Sequence, residues 1–436
     1  MNVLLVDREG YFLDFALRCR EAGHVVRWYL GKNPDGSRNP LGDGFGLDKR
    51  SEWESSMRWA DLIVLPDNAT MMHQMNSWHD RGFPIWGPNK EVTAWEMDRA
   101  LGLKVLENVG VDLIASHSFK RLDEGIAFVL ANPKRYVFKL LDDNNAKAMS
   151  YVSKSAKDMM FMLQKWKKMG AVKHGFIFQE FVPGIEVAVG GWFGQSGFSQ
   201  YFLENWEHKK LMNGEIGVNT GEMGTVMKYV KESKLADMLL RPLEGDLFRA
   251  GFTGYIDVAV IVAKDGTPYP LEFTTRPGWP LFQIQQCLHP DPCGWMKDSL
   301  DGRDTFRPLS DVATGVVVSM PDFPYKKLPQ EALMGFPLYG WDVIQPRNLH
   351  LNEVMLGEAP NDELALEEIP VTVGCNVATI SGQGKTVEQS IERAYKNVKK
   401  LELPNSPMYR TDIGCRLEEQ LPLLQAKGFM KDWSFK

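Results

Sequence analysis

The first hundred residues alternate short apolar runs with helical segments, and this alternation limits the possible folds more than any other feature of the sequence. Val3–Val6 is an apolar run, Tyr11–Ala22 carries apolar residues at helical spacing, and Val25–Tyr29 is a second apolar run. Two further runs follow at Asp61–Pro66 and Ile85–Pro88. Continuous apolar strands separated by helices predict a doubly wound parallel sheet, because both faces of such strands are covered.

The turn after the first strand lacks the glycine fingerprint of dinucleotide-binding proteins. Asp7-Arg8-Glu9-Gly10 stands where G-x-G-x-x-G would be. In that fingerprint the glycines let the backbone approach a pyrophosphate. Their absence argues against a nicotinamide or flavin enzyme.

With 436 residues, the chain is long enough for about three domains at roughly 150 residues each. After residue 100 the pattern changes to short strands broken by helices, and it changes again after a polar linker. The last part contains predicted strands at Thr314–Ser319 and Val371–Ile380, then a capping box at Thr386–Gln389 that opens an amphipathic helix. We therefore predict an α/β and α+β multidomain chain with an N-terminal domain at 1–100, a central domain at 101–305 and a C-terminal mixed α+β domain at 306–436.

Charge and cysteine usage exclude several classes of protein. Fifty Lys and Arg against 56 Asp and Glu give a net charge of -6, so we expect binding neither to nucleic acid nor to a membrane surface. The five cysteines are scattered without a C-x-x-C, and the eight histidines show no ligand spacing. They predict buried thiols of a reducing compartment, not disulfides or a zinc site. No signal peptide and no apolar stretch of about 20 residues is present, so we expect a cytoplasmic protein.

A predicted β-hairpin is the most informative segment for chemistry. Lys264–Thr267 lies between two strands, and its Asp265-Gly266 pair is typical of a type I′ turn. With that turn Asp257 lies opposite Thr274, and Glu272 shares their face. Three oxygen ligands would then suit Mg²⁺ together with nucleotide phosphates. The alternatives are a polar solvent face, or a register slipped by one residue that separates Asp257 from the other two.

Several cationic residues are candidates for binding phosphate. Lys139 lies in an apolar strand, Lys147 in a polar loop, and Arg276 directly after the hairpin. A strand lysine can equally lie at a sheet edge or extend its ammonium group to the surface.

Two loops are candidates for binding the rest of a nucleotide and a second substrate. In Gln179–Glu186, Phe181 and Val182 would line an adenine slot and Glu186 would bind ribose hydroxyls. Asn219–Gly224, preceded by Glu207–Lys210, would bind an anion through backbone amides. A strand–turn–strand and an ordinary surface loop are the simpler alternatives.

Taken in order along the chain, these segments resemble the ATP-grasp superfamily and, within it, the phosphoribosylamine–glycine ligases. The most specific are His208-Lys209-Lys210 and Asn219–Gly224, which resemble the family's His-Lys-Arg and Asn-Thr-Gly-Gly-Met-Gly stretches. Further matches are Gly87–Lys90, Glu180–Gly184, Phe252–Tyr255, Leu271–Arg276, Arg393–Tyr395 and Tyr409–Gly414.

The resemblance implies a ligase of purine biosynthesis that uses ATP to join a carboxylate to an amine through an acyl phosphate. The most similar reaction makes glycinamide ribonucleotide from phosphoribosylamine and glycine. The central domain would be an ATP-grasp domain with a mobile lid at about 117–185. ATP and Mg²⁺, with Mn²⁺ as an alternative, are the implied cofactors, and small-molecule amine and carboxylate substrates are the implied partners of a monomer or homodimer. The implied site residues are Lys139, Lys147, Glu180, Phe181, Val182 and Glu186 for ATP; Asp257, Glu272 and Thr274 for the metal; His208, Lys209, Lys210, Asn219, Thr220 and Gly221 for the substrates; and Arg276 with Lys147 for catalysis.

The sequence also departs from the family. The nucleotide loop has lost its glycines, Thr274 stands at a metal-ligand asparagine, and Pro277–Pro280 replaces an acidic segment. Asp257, in contrast, fits the first metal carboxylate of ATP-grasp ligases in general. Two other functions therefore stay open: the same chemistry on a different amine or carboxylate, for example in nucleotide modification, and a nucleotide-binding module without turnover.

Overall fold

The computed structural model of the chain describes residues 1–141, 150–173, 175–325, 327–404 and 406–436. These residues form two compact units. The first comprises 1–93, 187–259 and 273–436, and the second comprises 94–186 and 260–272. No helix within the described ranges is long and apolar enough to cross a membrane.

The N-terminal sheet of the first unit has the predicted parallel arrangement. Its strand order is β3-β2-β1-β4-β5, and every neighbouring pair is parallel. Met71, Met72 and Met75 pack into its apolar core beside Leu4 and Ile63, as expected for residues that fill a core. Its elements are β1 Asn2–Val6, α1 Leu13–Glu21, β2 Val25–Tyr29, β3 Asp48–Arg50, β4 Leu62–Val64, α2 Met72–His79 and β5 Ile85–Trp86.

Asp7 occupies the turn between β1 and α1, where a dinucleotide-binding protein would have glycines. One carboxylate oxygen accepts hydrogen bonds from the backbone amides of Gly10 (2.9 Å) and Tyr11 (3.0 Å). The other accepts from the amide of Phe12 (2.8 Å) and the indole of Trp28 (3.0 Å). Asp7 is fully buried, and burial raises its pKa to about 6. The amides of the turn that leads into α1 therefore already bind a carboxylate of the chain.

The second unit contains a four-stranded antiparallel sheet in the order β6-β9-β7-β8. One face of the sheet packs against α5 and α6 through an aromatic core that includes Phe138, Phe176, Phe178 and Trp166. Helix α3 (Lys90–Met97) runs from the first unit into the second. The remaining elements are α4 Arg99–Asn108, β6 Ser116–Phe119, α5 Leu122–Ala131, β7 Tyr136–Leu140, β8 Tyr151–Val152, α6 Ala156–Met169 and β9 Phe176–Glu180.

A large sheet has the strand order β16-β15-β10-β11-β14-β17-β21-β18, and two small sheets pair β12 with β13 and β19 with β20. Helix α11 packs closely on this sheet, since a Cβ added at Gly382 would lie 2.2 Å from the backbone nitrogen of Ala394. The strands are β10 Gly184–Gly194, β11 Gly197–Glu207, β12 Lys210–Met212, β13 Ile216–Asn219, β14 Gly224–Val230, β15 Gly254–Ala263, β16 Pro268–Thr274, β17 Val312–Ser319, β18 Leu349–Leu351, β19 Val354–Pro360, β20 Leu366–Thr372 and β21 Asn376–Gly384. The helices are α7 Lys234–Leu239, α8 Glu244–Arg249, α9 Leu281–Gln286, α10 Gly294–Leu300, α11 Val387–Val398 and α12 Leu417–Gln425.

The predicted hairpin is present as β15 and β16, but its turn is not the predicted two-residue one. The amide of Gly266 donates to the Ala263 carbonyl, and the amide of Ala263 donates to the Thr267 carbonyl, both at 2.9 Å. The loop therefore has three residues, with Gly266 supplying the positive φ of 97° that such loops require. This shifts the register at the turn by one residue, so the turn does not support the predicted placement of Asp257 opposite Thr274.

Helix α11 begins at the predicted capping box, with one difference. The amide of Gln389 donates to the Thr386 hydroxyl at 3.3 Å, as predicted. The Gln389 side chain, however, accepts from the amide of Lys385 (3.1 Å).

Four cysteines are buried free thiols, as expected, and Cys415 is exposed.

Candidate active site

Asp257, the predicted first metal carboxylate, lies within β15 with only 3% of its surface exposed. Its Oδ2 accepts hydrogen bonds from the Tyr255 hydroxyl at 2.9 Å and from the Asn205 side-chain amide at 3.3 Å. Gly190 leaves room for this arrangement, because a Cβ there would lie 2.1 Å from the Tyr255 hydroxyl oxygen. Both bonds end on the same carboxylate oxygen, so they fix the position of the Asp257 side chain.

The charge of Glu207 acts on two buried carboxyl groups, those of Asp257 and Glu222. Burial, then the charge of Glu207, raises the pKa of Asp257 to about 7. Burial, then the charges of Glu207 and Asp257, raises the pKa of Glu222 well above its ordinary value. Lys209, whose Nζ lies 3.1 Å from Glu207 Oε2, opposes both rises. We call Glu207, Glu222, Asp257 and Asn205 the acidic pocket.

The acidic pocket contains buried oxygen atoms with no hydrogen-bond partner among the residues that the structure describes. These atoms are Oε1 of Glu222 and Oδ1 of Asn205, and their residues are 3% and 0% exposed. Leaving such groups buried and unpartnered is costly. Glu222 also stands at the second glycine of the family stretch, so this carboxylate is an addition to the pattern. A cationic group bound here would offset the cost.

His208, a predicted substrate-binding residue, is enclosed by protein. Its Nε2 accepts a hydrogen bond from the amide of Gly414 at 3.2 Å, and its own amide donates to the Gly224 carbonyl at 2.9 Å. Burial, followed by the charges of Arg416 and Arg410, lowers the pKa of His208 well below its usual value. The neutral ring therefore holds the end of β11 against two other segments, which does not support direct contact with a substrate.

The other predicted substrate residues line the hairpin of β12 and β13 and the loop after it. Lys210 pairs with Asn219 across the hairpin, and the Lys210 ammonium group donates to the Gly217 carbonyl at 3.3 Å. The amide and the hydroxyl of Thr220 both donate to the Lys209 carbonyl, at 2.8 and 2.9 Å. Asn219 and Gly221 are not buried.

Arg410, from the closing signature, ties this hairpin to the C-terminal part of the first unit. Its side chain is 2% exposed and donates to both carboxylate oxygens of Asp412, at 2.8 and 2.9 Å. It also donates to Glu215 at 2.7 Å and to the Lys210 carbonyl at 3.1 Å. The signature therefore has a structural role beside the candidate substrate residues.

Glu272, the second predicted metal carboxylate, lies in the second unit and is paired with an arginine. Its Oε2 lies 2.5 Å from Nη2 of Arg99, and both side chains are about one-third exposed. The sequence analysis did not anticipate this pair. A metal at Glu272 would have to compete with the guanidinium group.

Lys139 and Gln179 lie on one face of the sheet in the second unit. Val137 pairs with Gln179, and alternation places Lys139 on the same face as Val137, opposite the aromatic core. Lys139 is 8% exposed, and Nε2 of Gln179 is buried without a hydrogen-bond partner in the described part of the chain. This face therefore carries a lysine and a side-chain amide, two groups of the kind that bind phosphate.

The predicted adenine hinge is a partly exposed connection between β9 and β10. Glu180 pairs with Lys134 at 3.2 Å, and the Phe181 ring lies 3.5 Å from the Arg135 guanidinium carbon. The amides of Glu180 and Phe181 already donate to the carbonyls of Ala115 and Arg135, at 3.0 and 3.3 Å. An adenine would therefore use the carbonyls here and the backbone of Val182, which is half-buried.

The remaining predicted residues are placed as follows. Thr274 ends β16 and Arg276 follows it in the first unit, both partly exposed, while Glu186 is exposed near the start of β10. Lys147 lies outside the described residues.

Tyr255, Asn205, Arg99 and the acidic role of Glu207 were not predicted from the sequence. One signal was available, because alternate residues of a strand share a face. Tyr255 precedes Asp257 by two residues, and Asn205 precedes Glu207 by two. Each pair therefore consists of two polar residues, one residue apart, that lie on the same face of an otherwise apolar strand.

No protein-family model matches the chain. The phosphoribosylamine–glycine ligase of Lactococcus lactis is 24% identical to it over 436 residues, which cover 95% of this chain and 100% of that protein. The crystal structure of phosphoribosylamine–glycine ligase from Thermotoga maritima matches with a TM-score of 0.69 at 20% identity, over 95% of this chain and all of that one. The chain has the ATP-grasp fold of phosphoribosylamine–glycine ligase.

At 20–24% identity, the chain differs from these two ligases at most positions. N5-carboxyaminoimidazole ribonucleotide synthetase from Thermotoga maritima matches less well, with a TM-score of 0.57 and 14% identity over 93% of this chain and 99% of that one. The resemblance inferred from the motifs is therefore confirmed along nearly the whole length.

Proposed function

We propose that the chain is an ATP-dependent carboxylate–amine ligase, and that its reaction is most like the joining of glycine to phosphoribosylamine. The observation that carries this proposal is the full-length match to phosphoribosylamine–glycine ligases, which spans all of the Lactococcus lactis protein. The buried, hydrogen-bonded Asp257 supports it further, because a positioned carboxylate is what a nucleotide-bound metal requires.

The oxygen atoms present fit a hard divalent cation. Asp257 and Glu272 would hold Mg²⁺ or Mn²⁺, with Thr274 contributing more weakly or through water. The unpartnered oxygen of Asn205 beside Asp257 adds a neutral donor of the same type. When bound, the metal would neutralise part of the charge of the ATP phosphates. Glu272 would first have to leave Arg99.

We propose that Lys139, with Lys147, binds the phosphates of ATP, and that Glu180, Phe181, Val182 and Glu186 bind its nucleoside part. Arg276 would stabilise the charge on the transferred phosphoryl group. The substrate carboxylate oxygen attacks the γ-phosphorus, and the bond to the ADP oxygen breaks. The amine nitrogen then attacks the acyl carbon, phosphate leaves, and the nitrogen loses a proton, giving an amide.

The substrates would lie near Lys209, Lys210, Asn219, Thr220 and Gly221, and His208 would hold that loop in place. Most of the rate enhancement would come from positioning two bound substrates, because no protein nucleophile is needed. A lid at about 117–185 would protect the acyl phosphate from water. We further propose a cytoplasmic enzyme that is a monomer or a homodimer.

The test is ADP release from ATP and Mg²⁺ in the presence of glycine and freshly generated phosphoribosylamine, with each substrate omitted in turn. We expect release only with the complete mixture, and loss of release in Glu272→Gln. ATP-dependent heat stabilisation without ADP release, under every substrate combination, would instead indicate a nucleotide-binding module without turnover. Unchanged ADP release in Glu272→Gln would show that the hairpin is not part of the active site.

A second candidate function is the same chemistry on a different amine, and Glu222 is the observation that favours it. A buried carboxylate with one unpartnered oxygen, beside two other acidic groups, would bind an amine substrate that carries an additional positive charge. The test is ADP release with a panel of diamines and guanidines, followed by Glu222→Gly, which restores the family's residue. If the second candidate function is right, the wild-type protein is active with cationic amines and the Glu222→Gly variant loses this activity. Activity with phosphoribosylamine alone, unchanged by the substitution, would exclude it.

A further inference from the structure

Two segments that are far apart in the sequence bring metal-binding side chains together in the first unit. His24 follows α1, and Asp291 and Cys293 precede α10. A ring nitrogen of His24, a carboxylate oxygen of Asp291 and the sulfur of Cys293 all lie within 4.8 Å of one another. Ligand bonds of roughly 2.0–2.3 Å in a tetrahedron place ligand atoms about 3.3–3.8 Å apart, so the side chains would close in by about 1 Å on binding zinc.

Cys19 lies beside this group, near the end of α1, and its thiol neighbours that of Cys293. Its sulfur does not lie within 4.8 Å of all three ligand atoms, so a bound ion would have to draw it in as the fourth ligand. Both cysteines have no exposed surface. Burial, followed by the neighbouring Cys293 thiol, raises the pKa of Cys19 well above its ordinary value.

Asp291 is held in a position that suits a ligand. Its Oδ1 accepts hydrogen bonds from the amides of Cys293 at 3.0 Å and Gly294 at 2.8 Å. These bonds orient the carboxylate and leave Oδ2 available to a cation. Hydrogen bonds that orient a ligand in this way are a regular feature of metal sites.

We propose that His24, Asp291, Cys293 and Cys19 bind one structural zinc ion. Two sulfurs, a nitrogen and an oxygen form a set that zinc accepts and that Mg²⁺, which prefers oxygen, does not. All four positions would be filled by protein, which indicates a structural site without an open position for catalysis. Zinc binding would release the proton of each thiol to solvent as the zinc–sulfur bond forms. The ion would fasten α1 to the segment before α10.

The proposed zinc site shares no residue with the candidate active site, and its ligands differ in chemical type. The zinc proposal therefore does not depend on the proposed function. The motifs gave no sign of it, because neither pair of ligands has a known spacing. Cys19 and His24 are separated by four residues, and Asp291 and Cys293 by one.

The test uses the full chain with its own amino terminus and without a histidine tag, because the amino group of Met1 lies 3.4 Å from His24 Nδ1. The protein is stripped with a chelator and titrated with zinc, and with Co²⁺ as a spectroscopic probe. We expect one zinc per chain, a thiolate-to-cobalt absorption band, proton release on binding and a higher unfolding temperature with zinc. His24→Gln and Asp291→Asn should each weaken zinc binding at least about tenfold, and Cys293→Ser at least about 100-fold.

Cys415→Ser is the matched control, because it removes an exposed thiol away from the four ligands and should leave zinc binding unchanged. His24 and Asp291 are not buried, so their variants decide the question even if Cys293→Ser does not fold. Zinc at well below one ion per chain would overturn the proposal. So would binding that His24→Gln and Asp291→Asn leave unchanged, or a Cys19–Cys293 disulfide in the freshly purified protein.

Discussion

Replacing Glu204 by glutamine should make the first unit less sensitive to alkaline pH. Glu204 lies in β11 and is 1% exposed. It accepts hydrogen bonds from the Ser233 hydroxyl at 2.7 Å and from the Trp433 indole at 2.8 Å. Burial raises its pKa from 4.5 to about 7, and the two hydrogen bonds act against that rise.

The sign and size of the effect follow from the raised pKa. The Glu204 carboxyl loses its proton at a lower pH in the unfolded chain than in the folded chain. At every pH where the unfolded chain has lost this proton, the folded state is therefore destabilised relative to the unfolded state. The penalty is absent below about pH 4.5, grows as pH rises, and is complete above about pH 7. At about 1.4 kcal/mol per pH unit, it is about 3 kcal/mol at pH 8 and about 1.4 kcal/mol at pH 5.5. Between these pH values the free energy of unfolding of Glu204→Gln should therefore rise by about 2 kcal/mol relative to wild type.

Urea unfolding at several pH values between about 5 and 8.5 measures this difference. Tryptophan fluorescence is a suitable signal, because the rings of Trp206 and Trp433 lie 5.1 Å apart near Glu204. Glutamine makes the two hydrogen bonds less well than the carboxyl group, but this lowers the stability of the variant by the same amount at every pH. The change with pH of the difference in unfolding free energy between variant and wild type is therefore the decisive quantity. Trp433→Phe is the control, since it removes one donor but keeps the carboxyl and should retain the pH dependence. A difference between wild type and Glu204→Gln that is constant across this pH range would refute the reasoning.

Three further predictions concern the candidate active site. Gly190→Ala should cost about 1–3 kcal/mol in urea unfolding, because its Cβ would overlap the Tyr255 hydroxyl; an unchanged midpoint would contradict the packing described. Arg99→Gln should change stability by less than about 1 kcal/mol, because the pair with Glu272 is partly exposed, yet it should lower the Mg²⁺ concentration needed for half-maximal ADP release. An unaltered Mg²⁺ dependence would show that Glu272 is not a metal ligand. Lys139→Met should reduce the heat stabilisation that ATP provides, and full stabilisation would exclude Lys139 from the phosphate site.

The parts of the fold that repeat a strong local pattern could be predicted from the sequence. The parallel sheet follows from continuous apolar runs such as Val3–Val6, and helix α11 follows from its apolar face and its cap at Thr386. The hairpin was also predictable, but its register was not. Gly266 can serve either a two-residue or a three-residue loop, since both require a residue with positive φ.

The electrostatics of the candidate site could be predicted only in part. Asp257 was identified from its position in the hairpin, whereas Arg99 reaches Glu272 from a distant helix. No local pattern records such a contact. Glu222 was visible as a departure from the family stretch, but only the structure shows that it is buried and that its Oε1 has no hydrogen-bond partner among the described residues. Burial and charge coupling therefore had to come from the structure.

The carboxylate of Asp7 affects phosphate binding at the first sheet more strongly than the loss of the glycines alone would. A free helix start attracts phosphate, and a chain without the right glycines can still bind one weakly. Here the three amides are already bound to an anion that belongs to the chain and cannot diffuse away. Because Asp7 already binds its amides, the turn cannot bind a phosphate in the same way. A phosphorylated substrate would have to be recognised by side chains elsewhere.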